Sequence, residues 1–357
     1  MSARLLVDAT TAAQATGGIR TVTRGFLEGA SRLSHARDID VVCAPDLEVP
    51  PSLGARRVGL ARTRIGRLAL QRAMLPLLAK HERVLLLDTS MPLAGLDAAR
   101  TACFVHDLLP LEHPEYWRRP ARLVKRASYD AVRRRRPAVF TSSTHNATRV
   151  LASLDVTARV ARFGCGALSD DEADDALTCP VTRRRKRRIV YVGALEARKD
   201  LLTLLEAFER AAPDLENFEL LLIGHAREDT RAAIAAWRRR APATSRRVRW
   251  NGPASRGAVI EAMTSATAVV YPSHAEGFGL PVLEALALGT PVLAADLPAI
   301  RAWAGDACGY AAPGDVEAWA DTLRRIARGD HPSLEAAREL ASGYRWRTFA
   351  ETVIEGW

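Results

Sequence analysis

Short apolar runs recur along this 357-residue chain, each followed by a stretch of helical period, and this alternation constrains the fold more than any other feature. In the first half the runs are ARLLVDA from Ala3, IDVVCAP from Ile39, RVLLLD from Arg83, ACFVHD from Ala102 and AVFTSS from Ala138. The second half repeats the rhythm with RIVYVG, FELLLIG, RVRWNG, TAVVYPS and TPVLAAD. Helical stretches lie between them, such as IRTVTRGFLEGASRL after Gly18 and LLTLLEAFERAA after Asp200. Strands that read as near-continuous β-branched runs are buried on both faces, so the pattern predicts parallel sheets covered by helices. A chain of this length suggests about two domains at ~150 residues each. Two doubly wound α/β domains in tandem is the economical architecture.

Charge narrows the partners. The net charge of +10 implies something anionic: nucleic acid, nucleotide phosphates or an acidic membrane face. Residues 1–168 hold 26 basic and 14 acidic side chains, whereas the chain from Thr178 holds 25 and 22, so the excess lies in the first half. Between the halves SDDEADD (Ser169 to Asp175) is followed by the basic run Arg183 to Arg188, with Pro180 between them and few apolar residues. These blocks read as an exposed interdomain linker over 169–186, its cations a solvated face. Nucleic acid is disfavoured, because aromatic-rich basic strands and zinc-ligand clusters are missing from the sequence. No apolar run approaches the ~18 residues of a membrane span, and MSARLLVDAT has no signal-peptide core, which points to the cytoplasm. Cys43, Cys103, Cys165, Cys179 and Cys308 are scattered without a C-x-x-C pair, as expected of buried thiols in a reducing compartment.

In doubly wound sheets ligands sit beyond the carboxyl ends of the strands, so chemistry is expected in the turns. After the first strand, Gly17 and Gly18 open a helix, either as an anion-binding start or as a plain tight turn. In FVHDLLP, His106 stands at a strand end, where it could bond a sugar hydroxyl, move a proton or be structural. In VGALEARKD, Arg198 and Lys199 precede a helix capped by Asp200. They form either a diphosphate-sized anion site or a solvated surface pair. LIGHARE places Gly224 at another strand end and is unspecific. In HAEGFGLPVLEALALGTPV, Gly277 and Gly279 form a turn, Pro281 starts a helix, and Glu276 and Glu284 stand eight residues apart. A carboxylate at each edge of a glycine-rich anion site suits a ligand whose phosphates are flanked by hydroxyl-bearing rings.

E-G-F-G-L-P-V-L-E followed by A-L-A-L-G-T-P-V resembles the E-x7-E motif of the family-4 retaining glycosyltransferases, which have the GT-B fold. G-A-L-E-A-R-K-D-L is similar to their arginine-lysine turn. H-D-L-L-P-L-E-H-P and G-G-I-R resemble their N-domain loops, especially in the mannosyltransferase-like branch of bacterial polysaccharide assembly. G-Y-R-W-R-T-F-A is similar to their final helix. The resemblance covers essentially the whole chain. It implies two Rossmann-like domains facing a cleft: an acceptor-side domain over 1–168, the linker over 169–186, a nucleotide-sugar-binding domain over 187–342, and a crossover helix over 343–357 returning to the first domain.

Carried over residue by residue, the resemblance implies that Glu276 contacts the donor sugar and Glu284 the ribose. Arg198 and Lys199 would hold the diphosphate with backbone N–H groups of Gly277, Phe278, Gly279 and Leu280 and of Gly17 and Gly18. His106 would lie by the transferring sugar. Two departures stand out: Ala194 where many relatives have a cation, and Arg301-Ala302 where many have a glutamate shortly before G-D-A. The expected activity is metal-independent, cofactor-free transfer of a hexose, mannose-like favoured, from a nucleoside diphosphate sugar to a glycan or polyprenyl-diphosphate-linked acceptor in polysaccharide or lipopolysaccharide assembly. The alternatives are a nucleotide-sugar epimerase of the same shape and, from another class, a basic nucleic-acid-binding protein. The segment RRVGLARTRIGRLALQRAMLPLL from Arg56, with RRPARLVKR from Arg118, makes the first domain basic and amphipathic. It is either a core-packed helix with a solvated arginine face or a surface that docks peripherally on anionic lipid, with Arg62, Arg64 and Arg67 among its cations.

Overall fold

A computed structural model describes residues 4–13, 17–78, 82–89, 95–178 and 185–357. The chain divides into two compact units, Met1–Asp170 with Tyr344–Trp357, and Asp171–Gly343. The first unit has strands β1 (Leu5–Asp8), β2 (Ile39–Cys43), β3 (Gly54–Arg57), β4 (Arg83–Leu86), β5 (Thr101–Phe104), β6 (Ala138–Thr141) and β7 (Ala158–Val160). They form one parallel sheet in the order β3-β2-β1-β4-β5-β6-β7. The second unit has β8 (Arg188–Val192), β9 (Glu219–Ile223), β10 (Val248–Trp250), β11 (Ala268–Tyr271), β12 (Val292–Ala295) and β13 (Gly309–Ala311). These are parallel in the order β10-β9-β8-β11-β12-β13. The ten apolar runs of the sequence all become strands.

Three strands were not expected: β3, β7 and β13. Each is a sheet edge, and their patterns GARR, ARV and GYA leave side chains partly exposed. The inner strands β1, β5, β11 and β12 are buried at every position. Each fully buried aliphatic or aromatic side chain contributes roughly 1.5–3 kcal/mol, so the burial concentrates stability in the middle of each sheet.

The final helix, Trp346–Glu355, belongs to the first unit and packs on Gly18–Ser31. Small residues make room for it. A Cβ on Gly25 would meet the Trp346 ring at 2.2 Å, and one on Gly29 would meet the Trp346 carbonyl oxygen at 2.1 Å. Asp170 fixes the helix start, its two carboxylate oxygens accepting from the backbone N–H of Trp346 (2.7 Å) and Arg347 (2.9 Å). Phe26, Phe104 and Phe163 surround Phe349 with ring centroids 5.3–5.9 Å away.

Two expectations are corrected. The segment read as a linker begins as a helix, Asp170–Thr178, while residues 179–184 lie outside the described ones. Of the basic run that follows, Arg183 and Arg184 lie outside the described residues, Lys186 and Arg187 are exposed, and the rest is only partly solvated. Arg185 donates to the carbonyls of Ala266 (3.0 Å) and Gly289 (2.7 Å), Arg187 to that of Glu216 (3.2 Å), and Arg188 pairs with Glu219. These cations anchor the entry to β8 because the ends of neighbouring elements offer carbonyl oxygens there.

The Arg56 segment is not one helix. It comprises β3, a 3₁₀ turn (Gly59–Arg62), a short α-helix (Arg64–Ala69), a π-turn (Leu70–Met74) and a last helical turn (Leu75–Leu78). Pro76 has no N–H for the carbonyl four residues back, which breaks the α register there. Ile65 and Leu77 are exposed (83% and 76%), whereas Arg67 is buried, so Arg67 is not one of the surface cations. The side chain of Arg64 lies outside the described ones.

Cys43, Cys103, Cys165 and Cys308 are buried free thiols; Cys179 lies outside the described residues. No helix among the described residues is long and apolar enough to cross a membrane.

Candidate functional site

Each sheet reverses its strand order once, and the ends of the strands flanking that reversal form the natural ligand crevice of a doubly wound fold. In the second unit the reversal lies between β8 and β11. The turn after β8 carries Arg198 and Lys199 in a 3₁₀ turn, Ala197–Lys199. Asp200 then caps the Leu201–Ala211 helix in a left-handed conformation (φ 46°). The turn after β11 carries His274, Ala275 and Glu276. The backbone joins the two turns, with the His274 N–H donating to the Arg198 carbonyl at 2.9 Å.

The side chains converge on Glu276. The Lys199 ammonium donates to Glu276 Oε1 at 2.5 Å and to the Tyr271 hydroxyl at 2.6 Å, and it lies 4.5 Å from the centre of the Tyr271 ring. The Arg198 guanidinium stands 3.1 Å from the same carboxylate, donates to the Ala275 carbonyl at 2.6 Å, and pairs with Glu196 at 2.9 Å. Lys199 and Glu276 are only 6% and 7% exposed. The alternative of a solvated surface pair is therefore excluded.

Burial alone would raise the Glu276 carboxyl, but Lys199 and then Arg198 outweigh it and hold the group at about 2. Burial lowers Lys199 to about 8 against the pull of Glu276. At neutral pH the cluster holds two cations and two carboxylates at fixed positions, so little reorganisation accompanies charge recognition.

Gly279 (φ 91°) starts the Leu280–Ala287 helix, with Pro281 in its first turn and no side chain capping its N–H groups. Phe278 stacks on Trp303 at 4.8 Å, and the Trp303 indole N–H donates to the Phe278 carbonyl at 2.8 Å, which fixes the turn. Gly277 lies in that turn, and Glu284 is buried one helical turn further on. The unspecific Gly224 has a packing reason: a Cβ there would sit 1.8 Å from the Gly193 carbonyl oxygen, where the ends of β8 and β9 meet. Arg301, at the departure from the family pattern, is held by Asp296 (2.7 Å) and lies 3.8 Å from the centre of the Tyr310 ring.

In the first unit the reversal lies between β1 and β4. Asp8 ends β1, its carboxylate accepting from Thr10 Oγ1 (2.6 Å) and Gln71 Nε2 (2.5 Å), and burial raises its pKa. Asp88 follows β4 and is paired with Lys125 at 3.1 Å. Burial opposes its ionisation, but Lys125 and His106 prevail and lower its pKa. His106, after β5, donates from Nε2 to the Leu87 carbonyl at 2.8 Å, which leaves Nδ1 as an acceptor. Burial lowers the His106 pKa against the opposing charge of Asp88, so the ring is neutral at pH 7. Gly17 (φ 74°) starts the Gly18–Ser31 helix without a side-chain cap.

Of the predicted site residues, the structure joins Arg198, Lys199 and Glu276 in one cluster and sets Gly277–Leu280 and Glu284 in the adjoining turn and helix. Gly17, Gly18 and His106 stand in the first unit, on strand ends separated by β4. Sequence reasoning missed Tyr271, Asp88 and Lys125. Their signal was position: Tyr271 and Asp88 stand at the ends of strands flanking the reversals.

The two-sheet architecture is that of the GT-B class. Sucrose-phosphate synthase from Thermosynechococcus elongatus superposes with a TM-score of 0.73 over 99% of this chain and 98% of its own, at 18% identity. HepE of Anabaena, solved in complex with UDP and glucose, does so with a TM-score of 0.72 over 99% of both chains, at 16% identity. Residues 186–328 match the family described as glycosyl transferases group 1. The serotype-specific mannosyltransferase WbdA of Escherichia coli is 26% identical over 289 residues, 72% of this chain and 34% of WbdA. The chain thus spans about a third of that relative's length.

Proposed function

We propose that this protein transfers a hexose, mannose-like favoured, from a nucleoside diphosphate sugar to a glycan or lipid-linked acceptor in cell-surface polysaccharide assembly. The observation that carries the reading is the buried cluster of Arg198, Lys199 and Glu276 at the reversal of the second sheet, beside the uncapped helix start at Gly279. Arg198, Lys199 and the N–H groups of the Gly279 turn supply positive charge for a diphosphate and stabilise it as it departs. Glu276 orients both cations and offers its second oxygen to sugar hydroxyls. Glu284 serves the ribose. In the first unit His106, neutral and with Nδ1 open, accepts from a sugar hydroxyl, and the helix start at Gly17-Gly18 supplies further N–H groups. The proposal includes retention of configuration and independence from metal and cofactor, since fixed cations carry the leaving-group charge.

WbdA supports the mannosyl preference by its name, and HepE, by its bound UDP and glucose, supports a nucleoside diphosphate sugar as donor. A cytoplasmic location with peripheral docking on anionic lipid completes the reading. The exposed Leu60, Ile65, Met74 and Leu77 beside Arg72 support that docking.

The experiment is a panel of nucleotide sugars offered with glycan and prenyl-linked acceptors, with the product anomer assigned by NMR. One donor should be consumed only with acceptor, in EDTA as without it, and Glu276→Gln should slow it by ~10²-fold or more. Consumption without acceptor would indicate epimerase chemistry, and loss of activity in EDTA restored by Mg²⁺ would refute the metal-free mechanism.

A further inference from the structure

The Arg119–Arg135 helix breaks an electrostatic preference. Anions favour the N-terminal end of a helix, yet its first turn holds no acidic residue, and Arg119, Arg122, Lys125 and Arg126 all fall in its first half. Lys125 is accounted for by Asp88. The guanidinium groups of Arg122, Arg126 and Arg133 make no hydrogen bond or ion pair among the described residues. At ~3.6 residues per turn they share one face. That face lines an open cavity of about 560 Å³ within the first unit, and Asp130 is the cavity's one acidic lining residue.

The lining also has an apolar part from the segment after His106: Pro110, Leu111 and Pro114. The segment is held in place. The Tyr129 hydroxyl donates to the Asp107 carbonyl at 2.9 Å, and Arg149 donates to Glu112 at 2.6 Å. Leu123, also on the lining, is 65% exposed on a helix whose neighbouring positions are cationic. Three arginines lining one cavity with two prolines and a leucine, beside an exposed leucine, match a ligand that joins a phosphate to an apolar stem.

We propose that this cavity binds the phosphate headgroup of an anionic phospholipid, its apolar stem lying along Leu123 and Leu111. The site is separate from the Arg198–Lys199–Glu276 cluster. It deepens the proposed function only in saying where the first unit meets a membrane lipid, and its binding is measured without sugar transfer.

The test is calorimetric titration of the full chain with a short-chain phosphatidic acid held below its micelle threshold, compared with the phosphatidylcholine of equal chain length and with inorganic phosphate. Phosphatidic acid should bind about tenfold or more tighter than either, the equivalent of one charge-assisted contact. Arg126→Gln should weaken it by about tenfold, and the triple Arg122→Gln, Arg126→Gln, Arg133→Gln change should remove it without altering nucleoside diphosphate binding. Leu123→Ser should weaken phosphatidic acid and leave inorganic phosphate unchanged. Full affinity in Arg126→Gln or in the triple variant, or inorganic phosphate binding as tightly as phosphatidic acid, would overturn the proposal.

Discussion

The two sheets reverse their strand order in the same way, yet the groups at the two reversals are opposite in kind. Between β8 and β11 two cations close on one carboxylate; Lys199 and Glu276 are almost fully buried and Arg198 is partly so. Between β1 and β4, and at the neighbouring end of β5, stand two carboxylates, Asp8 and Asp88, and a neutral imidazole, with Lys125 compensating one of them. The same backbone topology therefore fixes two cationic side chains against carboxylates at one reversal and two carboxylates beside a neutral imidazole at the other. Fold decides where chemistry sits; the side chains at the strand ends decide which chemistry it is.

The largest expected effect breaks the charge at the second reversal. Glu276→Gln keeps the shape but releases both cations from their common counter-charge, and turnover should fall ~10²-fold or more in a transfer assay while nucleoside diphosphate binding changes little. A comparable rate in the variant would make the cluster structural rather than catalytic.

The parallel change in the first unit is Lys125→Met, which strands the Asp88 carboxylate. Losing one partner of a fully buried pair costs ~3–5 kcal/mol; Lys125 keeps partial solvation, so about 2 kcal/mol is expected in urea unfolding. Asp88→Asn in the same background should recover much of it, because no unpaired charge is then left behind.

A smaller effect separates the units by pH. Burial lowers Lys199 to about 8, so its charge is full below that value and lost as pH rises through it. Nucleoside diphosphate affinity should therefore drop by about tenfold between neutral and alkaline pH, the worth of one charge-assisted contact. Lys199→Arg, which keeps its charge, should flatten the profile. An unchanged slope in that variant would remove Lys199 from phosphate binding.

The legibility of these features follows sequence distance and burial. Inner strands such as AVVY and VLAA announce themselves because both faces are apolar. The edge strands β3, β7 and β13 do not, since one flank meets solvent and three or four mixed residues carry no period. The Asp200 cap and the Gly279-Pro281 start were readable because capping is local. The Lys199–Glu276 contact joins residues 77 apart, and only the pairing of β8 with β11 brings it about. The basic run before β8 was legible only in part: Lys186 and Arg187 are exposed as its composition suggests, but Arg185 and Arg187 find carbonyl partners that no local pattern encodes.

The most direct test of the central claim, that the β8–β11 reversal recognises a diphosphate, is a paired calorimetric titration. Wild-type chain and Arg198→Ala would each be titrated with a nucleoside diphosphate and with its parent nucleoside. The structure predicts that the variant loses about tenfold or more in diphosphate affinity and almost none for the nucleoside, because the guanidinium meets phosphate alone. Equal losses for both ligands, or none for either, would contradict it.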